Sequence, residues 1–193
     1  MHGSISEKGD DSFAENDMEI FMTGKQIISL LHLKPHTEEG GYFVETYRSL
    51  ETIPEEALPE RYKGLRSYAT AIYYLLTPES FSSIHRLQSD EIFHFYLGDP
   101  VEMLQLWPDG SGKVLILGSD LLNGMKPQVI VPRGVWQGAR LLPGGRFALL
   151  GTTVSPGFEP QDYESGRRNV LLKFFSEFRD LIIALTKDNM KQE

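Results

Sequence analysis

Between Tyr42 and Val154 the chain is a succession of short segments rich in β-branched and aromatic residues, many of them separated by a turn signal. Strands are read over Tyr42–Arg48, Tyr68–Leu76, Ser82–Leu87, Glu91–Leu97, Val101–Trp107, Lys113–Leu117, Gln128–Val131 and Phe147–Val154. Such residues suit a pleated, half-buried surface. Thr77-Pro78, Gly98-Asp99-Pro100, Pro143-Gly144-Gly145 and the Gly-rich hairpin turn Pro108–Lys113 interrupt the runs. Gly and Pro impose backbone angles that a strand interior does not accept. Many short strands at this spacing predict an all-β fold, a barrel or jelly roll. Helical patterns are confined to the ends. Thr23 is a candidate cap for a helix to about Leu33, with Ile27, Ile28, Leu30 and Leu31 toward the core and Pro35 ending it. Ser176 is placed as the cap of a last helix carrying Phe178, Leu181, Ile182 and Leu185 on one face.

A chain of 193 residues, 40% of them hydrophobic, suits one compact domain. Residues 1–18 are polar and aperiodic and are read as a disordered tail; 19–187 form the single domain and 188–193 a frayed end. No apolar run reaches the roughly 18 residues of a membrane span, and no charged-then-apolar leader is present, so a cytoplasmic location is expected. The net charge of −8, with no basic stripe, argues against a nucleic-acid partner. Without cysteine there is no thiolate nucleophile, disulfide or zinc–thiolate site.

The chemistry concentrates in His85-Arg86-Leu87, Asp90-Glu91 and Pro132-Arg133-Gly134-Val135-Trp136-Gln137. Side chains alternate along a strand, so His85 and Leu87 share one face. Glu91 enters from the next strand with Phe93 and Phe95, which leaves Ile92, His94 and Tyr96 on the outer face. A buried histidine beside a buried carboxylate makes a proton-transfer pair, because each shifts the other. The same two residues also suit a satisfied core hydrogen bond. His32 and His36 are read as surface residues, and Arg167-Arg168 as a solvated face.

These motifs resemble those of the cupin barrels. In metal-bearing cupins the first motif supplies His, a second His two residues later, then Glu and a closing Gly; the second motif is Pro-x-Gly followed by a third His. This chain keeps His85, Glu91, Gly98, Pro132 and Gly134, with Leu87 and Gln137 at the other two ligand positions. The resemblance implies a double-stranded β-helix (jelly-roll) barrel with an N-terminal and a C-terminal helix. His85, Glu91 and Gln137 offer one strong nitrogen, one strong oxygen and one weak amide oxygen. That is short of three strong ligands, so no cofactor is expected beyond a weak or adventitious divalent metal.

Gly40-Gly41-Tyr42-Phe43-Val44-Glu45-Thr46 is similar to the Arg-Gly-Phe-Phe-x-Glu-Ser segment of the deoxysugar-nucleotide epimerases, which share the cupin fold. This implies a ligand role for Phe43 and Glu45, with Gly40 where that family has Arg. His85 falls at the epimerase base, Glu91 at its Lys, and Leu149-Leu150-Gly151 near its acid Tyr. Over roughly residues 23–185 the chain is similar to a small cupin family of unknown function. That family shows His-Arg-Leu-x-x-Asp-Glu, Gly-Asp-Pro, Pro-x-Gly-x-Trp-Gln and Ala-Pro-Gly-Phe, here His85–Glu91, Gly98–Pro100, Pro132–Gln137 and Ser155–Phe158.

The function expected is a cupin binding a small sugar- or nucleotide-like ligand, as a metal-independent isomerase or epimerase. His85 serves as acid/base with Glu91 orienting it, and Phe43, Glu45, Phe93, Trp136 and Gln137 contact the ligand. Two alternatives stand beside it: a non-catalytic binding cupin, and a metal-dependent cupin enzyme using His85, Glu91 and Gln137. The partners expected are that ligand and a second copy of the chain, a homodimer built on the outward Ile92, His94 and Tyr96.

Overall fold

The computed structural model describes residues 22–187; the expected tail over 1–18 and frayed end over 188–193 lie outside them. Helix α1 (Gly24–Leu30) opens on a capping box in which Thr23 and Gln26 satisfy each other's backbone N–H. It stops before Leu33 because His32 takes a left-handed backbone, φ 54°. Pro35 therefore falls in a short strand, β1 (Lys34–Pro35), rather than ending a helix. Ile27 is buried, but Leu30, expected inside, is 66% exposed.

Strand β2 (Tyr42–Arg48) is followed by a separate two-stranded ribbon of β3 (Thr52–Ile53) and β4 (Arg66–Ser67). Eight longer strands come next: β5 (Thr70–Leu76), β6 (Phe81–Arg86), β7 (Asp90–Gly98), β8 (Val101–Leu106), β9 (Gly112–Leu117), β10 (Gln128–Val131), β11 (Trp136–Leu141) and β12 (Ala148–Ser155). They form two antiparallel sheets with orders β5-β12-β7-β10 and β6-β11-β8-β9. The chain crosses between sheets at every step except the β8–β9 hairpin, which is the double Greek key of a jelly roll. β1 and β2 extend the first sheet, and β13 (Glu164–Ser165) extends the second. Among the described residues no ladder joins the two sheets. The expected barrel is thus an open, two-sheeted jelly roll.

Strand β11 escaped the sequence reading. Gly138 breaks its pattern for a packing reason, since a Cβ there would lie 2.8 Å from Ile84 Cγ1 across the ladder. The main core, including Tyr74, Phe93, Met103 and Leu150, fills one end of the space between the sheets. A second cluster, Ile84, Leu104, Leu106, Leu171 and Ile182 among it, lies beneath α2 (Arg168–Phe174) and α3 (Arg179–Ala184). Helix α2 was not expected. Arg168 at its start is no simple solvated residue, because it donates to Thr186 Oγ1 at 2.7 Å and ties the two helices together. A 3-10 turn, Ser176–Phe178, precedes α3 without a side-chain cap from Ser176. No helix among the described residues is long and apolar enough to cross a membrane.

Candidate active site

Opposite the packed core, the space between the sheets opens into a cavity of about 550 Å³. His85 reaches it through an irregularity in β6. Ser82 pairs with Ala139 and His85 with Gln137, so three residues of β6 span two of β11. This bulge turns both Ser82 and His85 inward while Phe81 and Ile84 face the helices. The backbone groups it displaces find partners elsewhere. Ser83 N–H donates to Glu39 O, Ile84 N–H to Leu185 O, and Gly166 N–H to Ile84 O, at 2.8, 2.8 and 2.7 Å.

The ring of His85 is 2% exposed. Its Nδ1 lies 2.8 Å from the Ser83 carbonyl, which can only accept, so Nδ1 carries the proton. Nε2 is left as the basic nitrogen. Gln137 donates to it at 3.3 Å and uses the same amide nitrogen to donate to Glu91. His85 and Glu91 are therefore joined through Gln137. Glu39 Oε2 lies 3.9 Å from Nε2, and its other oxygen accepts from Ser82 Oγ at 2.5 Å. Tyr163 stacks on the imidazole, centroids 4.8 Å apart, and its hydroxyl is buried without a partner among the described residues. Burial pushes the Glu91 carboxyl above the usual range; His85 and hydrogen bonds from Thr152 and Gln137 oppose that rise, and the charge of Glu39 adds to it. The Tyr163 phenol is also raised, by burial first and then by Glu39 and Glu38.

His85, Glu91, Phe43 and Glu45 all line the cavity, as does Leu87. Gln137 does not. It is 2% exposed and its amide is committed to His85 and Glu91, so it cannot donate to a ligand. Phe93 shares the face of Glu91 but lies farther along β7, inside the packed core. Trp136 is on the opposite face of the sheet from Gln137, as strand alternation requires. It packs under the C-terminal helices with Arg86 over its ring at 4.4 Å. His36, read as a surface residue, lines the cavity against Phe43, ring centroids 4.6 Å apart. Its Nδ1 accepts the Glu39 N–H at 3.0 Å, and burial lowers its pKa.

Glu39 and Tyr163 were missed by sequence reasoning. Glu39 had a signal, since it stands just before the Gly40–Gly41 turn that feeds the Phe43 strand. Tyr163 had none. It is set by a 3-10 turn (Pro160–Asp162) whose Asp162 makes a buried 2.7 Å ion pair with Arg66.

The donor set does not fit the cupin metal cage. Leu87 presents no ligand atom, and Gln137 turns its NH₂ toward His85 and Glu91. Among the described residues no group of three or more His, Asp or Glu side chains is placed to hold a metal ion.

Comparison with known proteins agrees with this fold. A family described as Cupin superfamily (DUF985) matches residues 25–166. The uncharacterized protein YML079W of Saccharomyces cerevisiae is 35% identical over 147 residues, covering 72% of this chain and 73% of its own. Among solved structures, protein SO0799 from Shewanella oneidensis superposes with a TM-score of 0.76 at 30% identity, covering 86% of this chain and 99% of that one. A hypothetical protein from Leishmania major gives 0.77 at 28% identity, covering 86% and 100%.

Proposed function

This chain belongs to the Cupin superfamily (DUF985) family, and on that footing we propose that its cavity binds a small, ring-bearing polar compound and moves a proton on the carbon beside a carbonyl, as a metal-independent isomerase or epimerase. The observation that carries the reading is the pairing, on one wall, of an imidazole whose basic Nε2 lies beside the cavity with a buried carboxyl held above its usual range.

In the reaction, Nε2 of His85 takes a proton from the substrate carbon. The electron pair left behind moves onto the carbonyl oxygen as an enolate. The Tyr163 hydroxyl, which has no partner among the described residues, donates a hydrogen bond to that oxygen. Glu39 beside Nε2 stabilises the imidazolium that forms. Water in the cavity then returns a proton to the opposite face of that carbon and its hydroxide takes the imidazolium proton, which gives the epimer; in the isomerase course the neighbouring hydroxyl passes its proton to the enolate oxygen as the imidazolium protonates the former carbonyl carbon. Phe43 supplies a face for the ring of the ligand.

The test is deuterium uptake. The full chain is incubated in D2O with a panel of ring-bearing carbonyl compounds, pyranose sugars included, and loss of the signal of the proton beside the carbonyl is followed by NMR. Exchange is expected in the wild type, slowed by about 10²-fold or more in His85→Asn. A compound that binds but never exchanges would make the protein a binding module instead.

A further inference from the structure

The charge of the cavity identifies a class of ligand, an inference that rests on the binding reading above. We propose that the cavity selects a small organic cation: a protonated amine carried on a six-membered ring.

Three acidic side chains, Glu38, Glu39 and Glu45, line the cavity beside Glu91, whose carboxyl burial holds toward its uncharged form, against the one guanidinium of Arg48. Arg48 is already committed. It donates through Nε and Nη2 to Glu45, through Nη1 to Glu159 at 2.7 Å, and through Nη2 to the Phe158 carbonyl at 3.2 Å. With its two carboxylates it leaves a net charge of −1 at the rim. Lys187 stands nearby, but its ammonium donates to the Thr37 and Glu38 carbonyls at 2.9 and 2.6 Å. His36 is held toward its uncharged form by burial. The Arg of the epimerase segment cannot be restored at Gly40. There φ is +104°, and a Cβ would collide with the Phe81 carbonyl oxygen. A phosphate or carboxylate entering this space would be desolvated with no uncommitted cation among the described lining residues to meet it.

A cation meets the reverse. Glu39, 12% exposed, holds Oε2 4.0 Å from His36 and 3.9 Å from His85. Both neighbours are imidazoles rather than fixed positive charges, so an ammonium supplies a cationic partner beside the Ser82 hydroxyl that this carboxylate already accepts from. Phe43, Phe158 and Tyr163 line the same space. A cation over an aromatic face is attracted by the ring quadrupole, more strongly where water is excluded. Ile72, Leu87 and Val154 leave apolar wall for the carbons of the ring.

Saturation-transfer NMR and calorimetry on the full chain test this with matched probes: benzylamine, benzyl alcohol and benzoate, then glucosamine and glucose. An amine is expected to bind about tenfold or more tightly than its neutral partner, with benzoate weakest. Preference for benzylamine assigns an aromatic amine, and preference for glucosamine an amino sugar. Glu39→Gln should erase the amine's advantage over its neutral partner. If that variant does not fold, Phe43→Leu tests the ring face and should weaken the amine more than the alcohol. Benzoate binding as well as benzylamine, equal binding of amine and alcohol, or no amine binding at millimolar concentration would overturn the proposal. Failure of the proton-transfer reading shows separately, as binding without deuterium exchange, and leaves the charge preference standing.

Discussion

At the scale of single residues, Glu91 sets how the protein responds to pH. Its carboxyl is raised mainly by burial, so folding favours the protonated form. A raised carboxyl contributes stability that is fully present below its unfolded value, near 4.5, and is lost as pH rises through the folded value. Glu91→Gln keeps the volume and removes the titration. The variant should match the wild type in acid and become progressively the more stable of the two as pH rises, read as melting temperature across a pH series. A constant difference at every pH would mean that Glu91 ionises freely. The same wall bears on metal. With Leu87 and Gln137 at two ligand positions, protein purified without added metal should carry clearly substoichiometric iron, manganese and zinc by elemental analysis. A full equivalent that disappears in His85→Ala would contradict this.

At the scale of elements, the bulge in β6 is what aims His85, and the C-terminal segment holds that bulge through the bond from Ile84 N–H to the Leu185 carbonyl. Ile182, fully buried beside Ile84, clamps α3 there. Ile182→Ala should cost about 2–4 kcal/mol in urea unfolding, as a lost methylene cluster and a cavity do. It should also shift the His85 imidazole resonances, although residue 182 does not line the cavity. Unchanged resonances would detach the helix from the site. The strands themselves were legible, since β2 and β10 occur with the bounds read from alternation. The inward set Glu91 and Phe93 and the outward Ile92, His94 and Tyr96 follow from the same rule. What alternation could not carry was its own interruption: the bulge at Ser83–Ile84, and β11 with Gly138 at its centre. Trp136 and Gln137 could not both have reached the ligand, because neighbours on a strand face opposite ways. Glu39 and Tyr163 meet His85 from sequence distances of 46 and 78 residues, through turns that carry no periodic signal. Local pattern does not encode that convergence.

For the whole molecule, the question is what covers the outer face of the larger sheet. Helix α1 covers one end of that face, where Leu75, Phe147 and Leu149 pack against Ile27. The other end presents Tyr96 and Ile130, which are 50% and 56% exposed, beside Ile92, His94 and Tyr73. The aromatic part is ordered. Tyr96 packs edge-on to Tyr73 at 5.9 Å, over Gly151, where a side chain would displace its ring. Strand β10 bounds this face and pairs only with β7, so its outer edge has no ladder partner among the described residues. An exposed apolar face beside an open edge invites pairing with another copy of the same chain. We expect a homodimer through this surface, with light scattering at micromolar concentration giving about twice the 21.9 kDa of one chain. A stable dimer of this kind buries roughly 1,200–2,000 Å² in total and persists at that concentration. Ile130→Lys places a charge in the middle of the patch, on a side chain that meets solvent in the single chain. It should shift the protein to the monomer mass while leaving the melting of an isolated chain nearly unchanged. A wild-type protein that already scatters as a monomer would show that this face is left to water, and that the aromatic cluster around Tyr96 serves the single sheet alone.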